Sequence, residues 1–229
     1  MAEVDDPRSQ TADGAAPTLL VLVRHALTEE TGPILTGRRP GIALSEEGRR
    51  QAEEVGRWLA GLPVSAVYAS PIERALQTAS AIASPHGLEV ELLEGMMEAD
   101  YGEWAGRRLD ELAATDLWRR VQVAPSWARF PQGESLREMQ ARAVQALEGL
   151  VEAQRGRLVV VVSHADVIKA AVAHFIGLHL DLFQRLVISP ASVTAVGVGA
   201  TGPVLLKLNA TGGLDELRPA AKEAVHAGE

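Results

Sequence analysis

The sequence contains no cysteine, which excludes disulfide frameworks, thiolate zinc sites and thiol nucleophiles and fits a reducing compartment. Aromatic residues are scarce, at 4%, and no run approaches the ~18 consecutive apolar residues of a membrane span. Basic residues are outnumbered: 22 Lys and Arg against 30 Asp and Glu leave a formal charge of −8 and a sequence pI of about 5.3. A general nucleic-acid binder is therefore not expected, because affinity for a phosphate backbone comes from clustered Lys and Arg. The opening MAEVDDPRSQ is acidic and polar and does not read as a signal peptide. The expectation is a cytoplasmic protein that binds neither membrane nor nucleic acid.

What remains is ordinary globular material: 229 residues, 47% hydrophobic and 23% charged. That suffices for one domain with a core of its own. Residues 1–17 are small, polar and aperiodic and read as a disordered arm, and residues 212–229 read as a flexible tail. Between them, short apolar runs alternate with helical patterns. Thr18 to Val23, Val64 to Ala69, Val90 to Leu93 and Leu158 to Val162 read as strands. The first and last are continuously apolar, as strands buried on both faces of a parallel sheet should be.

Ser45 can cap a helix reaching Ala60, and Ser70-Pro71 reads as a cap followed by proline at the first helical position. Further helices are expected from Ser135 to Gln154 and from Asp166 to Ile176. Ser192 to Val198 and Val204 to Leu208 suggest a hairpin. This alternation implies an α/β fold, a three-layer α/β/α sandwich around a mostly parallel sheet.

In open α/β sheets, ligands bind beyond the carboxyl ends of the strands. The first strand is followed at once by Arg24-His25, the fourth by Ser163-His164, and the second by a helix whose first turn carries Arg74. If these strands are parallel, two imidazoles and two guanidiniums meet on one rim, beside a helix N-terminus. That is a phosphate-sized anion site. Singly, each residue is more simply a structural histidine or a solvated arginine; their joint placement carries the argument.

These residues resemble the histidine phosphatase superfamily, the phosphoglycerate-mutase-like phosphatases, over roughly Leu19 to Val198. Arg24-His25-Ala26 looks like the family's Arg-His-Gly opening. Gly37, Leu44-Ser45, Gly48 and Gln51-Ala52 are similar to its next stretch. Ser70 to Ala79 reproduces its Ser-Pro-x-x-Arg-Ala-x-Gln-Thr-Ala helix. Glu98, Gly102, Glu103-Trp104 and Gly106 resemble the segment holding its acid, Gly133-Glu134-Ser135 opens the expected helix, and Val162-Ser163-His164 resembles its second histidine motif.

The resemblance implies a catalytic domain over residues 18–211 that hydrolyses a small phosphorylated metabolite. His25 would attack phosphorus to give a phosphohistidine. Arg24 and Arg74 would hold the phosphoryl oxygens, and His164 would donate to them as charge develops. Glu98 would serve as acid and then base, with a raised pKa only if it is partly desolvated. Thr31, Gly37, Arg38 and Ala165 complete the implied binding set. Neither metal nor cofactor is implied. Related proteins are monomers, dimers and tetramers, so a homodimer is an open alternative.

Three positions depart from the family pattern: Ala26 replaces glycine, Leu27 a common glutamate, and Thr31 a common asparagine. A modified pocket is expected. Arg39 and the Trp118-Arg119-Arg120 segment are further candidates for gripping an anionic tail. Two other readings stand beside hydrolysis. One is a cofactor-dependent mutase, although Glu98 and His164 are only 66 positions apart, fewer than mutases carry. The other is a non-catalytic phosphate-binding relative. Gly197 to Gly202 fits G-x-G-x-x-G, but a proline and a strand-like run follow it, so it reads as a hairpin turn.

Overall fold

The apolar runs become the centre of a six-stranded sheet. The computed structural model describes residues 16–212. All but three residues of the expected arm and tail therefore lie outside the described residues. The strands are β1 (Thr18–Arg24), β2 (Val64–Ala69), β3 (Val90–Leu92), β4 (Leu158–Ser163), β5 (Val193–Gly199) and β6 (Gly202–Ala210). Their order is β3-β2-β4-β1-β5-β6; β3, β2, β4 and β1 run parallel, and β5 lies antiparallel to both β1 and β6. The hairpin turns at Gly202, whose φ of 99° suits a residue without Cβ.

The valine-rich β4 is buried along its whole length. Side chains alternate across the sheet with a period of two. Leu20, Leu22, Val159 and Val161 enter one apolar cluster, and Val21, Val23, Val160 and Val162 enter the other. The first cluster is closed by α5 (Leu136–Ala153) and α6 (Ala165–Phe175), the second by α1 (Glu46–Leu59) and α2 (Glu73–Ala83). The α/β/α sandwich expected from sequence is the architecture observed. Each fully buried Val or Leu contributes roughly 1.5–3 kcal/mol.

The helix ends follow local chemistry. Ser45 caps α1, its hydroxyl accepting from the Gly48 amide at 3.0 Å. A Cβ on Gly48 would stand 1.9 Å from the Leu27 carbonyl oxygen, so glycine is what lets α1 lie against the loop after β1. Ser135 and Glu138 form a reciprocal capping box on α5. The expected cap at Ser70-Pro71 is not the one observed: α2 begins at Glu73 after Ile72, with no side-chain cap. The Ser70 hydroxyl is directed elsewhere.

No element is expected from sequence over residues 94–134. They form 3₁₀ turns and two short helices, α3 (Leu109–Ala113) and α4 (Asp116–Val123), over the carboxyl end of the sheet. The excursion is tied at its base. The Glu103 amide donates to Pro131 and the Glu134 amide to Asp100. A Cβ on Gly102 or Gly133 would meet backbone across this junction at 2.0 and 2.2 Å respectively. No helix among the described residues is long and apolar enough to cross a membrane.

Candidate active site

Register brings the strand ends together. Arg24 pairs with Ser163 and Ala69 with Val162. The ladder continues through His25 N–H to the Ser163 carbonyl and Ser70 N–H to the Val162 carbonyl, both at 2.9 Å. Residues 24–25, 70 and 163–164 therefore leave the sheet at one level. Beyond them opens a cavity of about 390 Å³ lined by Arg24, His25, Arg74 and Glu98 among others.

His25 is held as a neutral imidazole with a defined proton. Its Nδ1 lies 2.8 Å from the Ala26 carbonyl, which can only accept. Its Nε2 receives the Nε–H of Arg74 at 3.2 Å. The proton is thus on Nδ1, and the lone pair, engaged by Arg74, is on Nε2. Burial, then the positive charges of Arg74 and Arg24, hold the pKa well below the ordinary histidine value.

Arg74 is 2% exposed and is fixed by its Nη2, which donates to the Gly37 carbonyl at 2.8 Å. Arg24 donates through Nη1 to the Ile188 carbonyl at 2.7 Å. Both retain a buried, unpartnered donor, Nε of Arg24 and Nη1 of Arg74. Buried guanidinium N–H groups without acceptors are costly, and an anion between them would relieve that cost. Burial lowers both arginine pKa values from their usual position, but a guanidinium stays charged.

Glu98, 9% exposed, has its pKa raised to about 7, chiefly by desolvation, with Arg74 opposing and Asp166 adding to the rise. The condition set by sequence reading, a partly desolvated acid, is therefore met. One oxygen accepts the Ala99 amide at 2.9 Å. The other lies 4.0 Å from Arg74 Nη2 and 3.8 Å from His164 Nδ1.

His164 is wholly buried behind the cavity wall. Its Nδ1 faces Arg74 Nη2 at 3.3 Å, and its Nε2 faces the Ser70 hydroxyl at 2.8 Å. Its ring centroid is 5.2 Å from that of His25. Burial and the nearby arginines keep it neutral too.

The remaining candidates separate. Thr31, Gly37 and Ala165 line the cavity. Thr31 Oγ1 lies 3.0 Å from Thr28 Oγ1 and also accepts the Thr28 amide, ordering that loop. Arg38 does not line the cavity: its Nε donates to the Glu98 carbonyl at 2.7 Å and its Nη2 to Glu134 at 3.2 Å. Arg39 pairs with Glu30 and Arg119 with Asp116, both away from the lining, whereas Trp118 lies in it. Ala26 is buried among Leu44, Ala52 and Val55 on the α1 side, so its methyl packs in the core and does not crowd the cavity.

Sequence reasoning missed Arg142 and Glu134 as a unit. Arg142 grips Glu134 through two nitrogens and donates to the carbonyls of Gly95, Met97 and Glu98. It also missed Asp166, Lys169, Gln122 and Gln184 as lining residues; only the polar positions on the otherwise apolar α6 hinted at two of them. Among the described residues, no group of three or more His, Cys, Asp or Glu could hold a metal ion.

Comparison with known proteins gives this arrangement its context. A family model described as histidine phosphatase superfamily (branch 1) matches residues 20–211. Phosphoserine phosphatase 1 of Hydrogenobacter thermophilus is 32% identical over 211 residues, covering 90% of this chain and 99% of its own. A 2,3-bisphosphoglycerate-dependent phosphoglycerate mutase of Thermoplasma acidophilum is 29% identical, covering 79% of this chain and 87% of its own. The crystal structure of a histidine-to-alanine variant of phosphoserine phosphatase from Entamoeba histolytica, in complex with phosphoserine, superposes with a TM-score of 0.78 at 29% identity. It covers 85% of this chain and 98% of that one.

Proposed function

The chain belongs to the histidine phosphatase superfamily, and on that premise we propose that it hydrolyses small phosphomonoesters through a phosphohistidine on His25, without metal. The observation carrying this reading is the Nε2 lone pair of a neutral, buried His25 beside two arginines with unused N–H donors.

The phosphoryl oxygens take the free donors of Arg24 and Arg74, and Arg74 Nε turns from His25 to the substrate. Nε2 attacks phosphorus in line, forming P–N as P–O breaks. Glu98, whose pKa burial raises to about 7, gives its proton to the leaving oxygen. In the second step the Glu98 carboxylate takes a proton from water. That water's oxygen bonds to phosphorus, P–N breaks, and neutral His25 and phosphate are regenerated. The arginine charge stabilises the transferring phosphoryl group in both steps.

The test is hydrolysis of p-nitrophenyl phosphate in EDTA, with quenched samples assayed for phosphoprotein. The expected result is phosphate release and an acid-labile, base-stable label absent from His25→Ala. Turnover surviving His25→Ala would overturn the reading. Transfer of the label to phosphoglycerate in preference to water would instead identify a mutase.

A further inference from the structure

The cavity is far larger than a phosphoryl group requires, and its outer wall is built from residues that the chemistry at phosphorus leaves unused. Trp118 and Gln122 of α4, Leu109 of α3, Lys169 of α6 and Gln184 form much of it. Among the described residues, Lys169 is the single cation in the lining besides Arg24 and Arg74. It stands four residues beyond Ala165, about 6 Å along the helix axis.

The Lys169 ammonium is held but not saturated. It lies 3.0 Å from Gln184 Oε1, 3.4 Å from Asp166 Oδ1 and 5.8 Å from the Phe183 ring centroid. An ammonium has three donors, so one N–H is left over after Gln184 and Asp166. Asp166 is itself shared, since its second oxygen accepts the Tyr101 hydroxyl at 3.2 Å. Holding Gln184 by its oxygen leaves that residue's NH₂ free, and the Gln122 amide has no hydrogen-bond partner among the described residues. An ammonium N–H and amide N–H groups around one space match the lone pairs of a carboxylate.

We infer that this outer wall is a carboxylate subsite, with Lys169 and the free amide of Gln184 reading an anionic group on the leaving alcohol. The preferred substrates are then short phosphomonoesters bearing a carboxylate a few bonds from the ester oxygen. The inference rests on the phosphatase reading and extends it from phosphorus to the leaving group.

The test compares kcat/KM for O-phosphoserine and 3-phosphoglycerate with that for phosphoethanolamine and glycerol 3-phosphate, which lack the carboxylate. The wild type should favour the carboxylate esters, and Lys169→Met should reduce that preference about 10- to 100-fold, as loss of a charge-assisted hydrogen bond implies. Lys169→Glu should reverse it toward phosphoethanolamine. A ratio of rates is independent of the folded fraction, so a poorly folding variant still reports. The same preference should appear as affinity in calorimetry on His25→Ala protein. A ratio unchanged by Lys169→Met, or a wild type without preference, overturns the subsite. If p-nitrophenyl phosphate is not hydrolysed but the binding preference and its loss in Lys169→Met persist, the subsite stands and the catalytic reading falls.

Discussion

The Ser70 hydroxyl lies 2.8 Å from Nε2 of His164, and both side chains are wholly buried. Because Arg74 donates to Nδ1 of the same ring, Nε2 carries the proton and Ser70 accepts it. Ser70→Ala would orphan a buried N–H, costing about 1–3 kcal/mol, and would free the ring to turn. The expected outcome is a lower melting temperature, with kcat falling more than KM rises. Calorimetry and steady-state kinetics check it.

The pH profile should be set by Glu98 on its basic side. As pH rises through about 7 the acid loses its proton, so kcat/KM for alkyl phosphates should fall there. The acid limb should lie well below the usual histidine range, because His25 stays neutral. Glu98→Gln should lower kcat on alkyl phosphates about 10²- to 10⁴-fold. Phosphorylation by p-nitrophenyl phosphate, whose leaving group departs without a proton, should suffer much less. Stopped-flow burst measurements separate the two.

The same carboxyl makes a stability prediction. Its pKa rises from the ordinary 4.5 to about 7 on folding, so the folded state holds this proton more tightly than the unfolded chain. The stabilisation is complete below the unfolded value and is lost as pH rises through about 7. The loss approaches about 3 kcal/mol. Glu98→Gln should therefore melt above the wild type at about pH 8, with the gap closing toward about pH 5. Thermal unfolding across that range checks it; a gap constant with pH would refute it.

Arg142 holds the chain on which Glu98 sits, through carbonyls on both sides of the acid and a two-nitrogen grip on Glu134. Arg142→Lys keeps the charge but cannot reproduce the planar fork. The expected result is a reduced kcat and a displaced basic limb, since the environment that raises the Glu98 pKa is loosened. Arg142→Ala should cost about 1–3 kcal/mol, because Glu134 keeps Arg38 and the Asp100 amide but loses the two-nitrogen grip, and the Met97 and Glu98 carbonyls lose their donor.

The sheet was legible because its signals are local. Leu158 to Val162 is apolar at every position, and α1 and α5 carry serine caps next to helical stripes. The rim was legible because strand ends point one way in a parallel sheet, which placed Arg24, His25 and His164 together. Ser70 was misread because a serine before proline is a cap in isolation, and its imidazole partner lies 94 residues away in sequence. Arg38 looked like a substrate grip because an arginine in a loop has no period to say which way it turns; it turns to the Glu98 carbonyl. The outer wall was hidden for the same reason: Gln122 and Gln184 come from short elements without a sustained apolar pattern, brought together only by tertiary packing.

The backbone junction of Gly102 and Gly133 separates two duties of one stretch of chain. Glu98 lies on the sheet side, clamped by Arg38 and Arg142, while Trp118 and Gln122 lie in the excursion beyond the knot. Residues 106–109 pair with the 33–37 loop whose Gly37 carbonyl fixes Arg74, so it is the stretch beyond them, residues 110–123, that can change without passing the disturbance back to the acid. Lys169 and Gln184 belong to the fixed frame with His25, Arg74 and Glu98, whereas Trp118 and Gln122 belong to the excursion, so exchanging residues 110–123 between relatives should reshape one side of the outer wall and leave the chemistry in place.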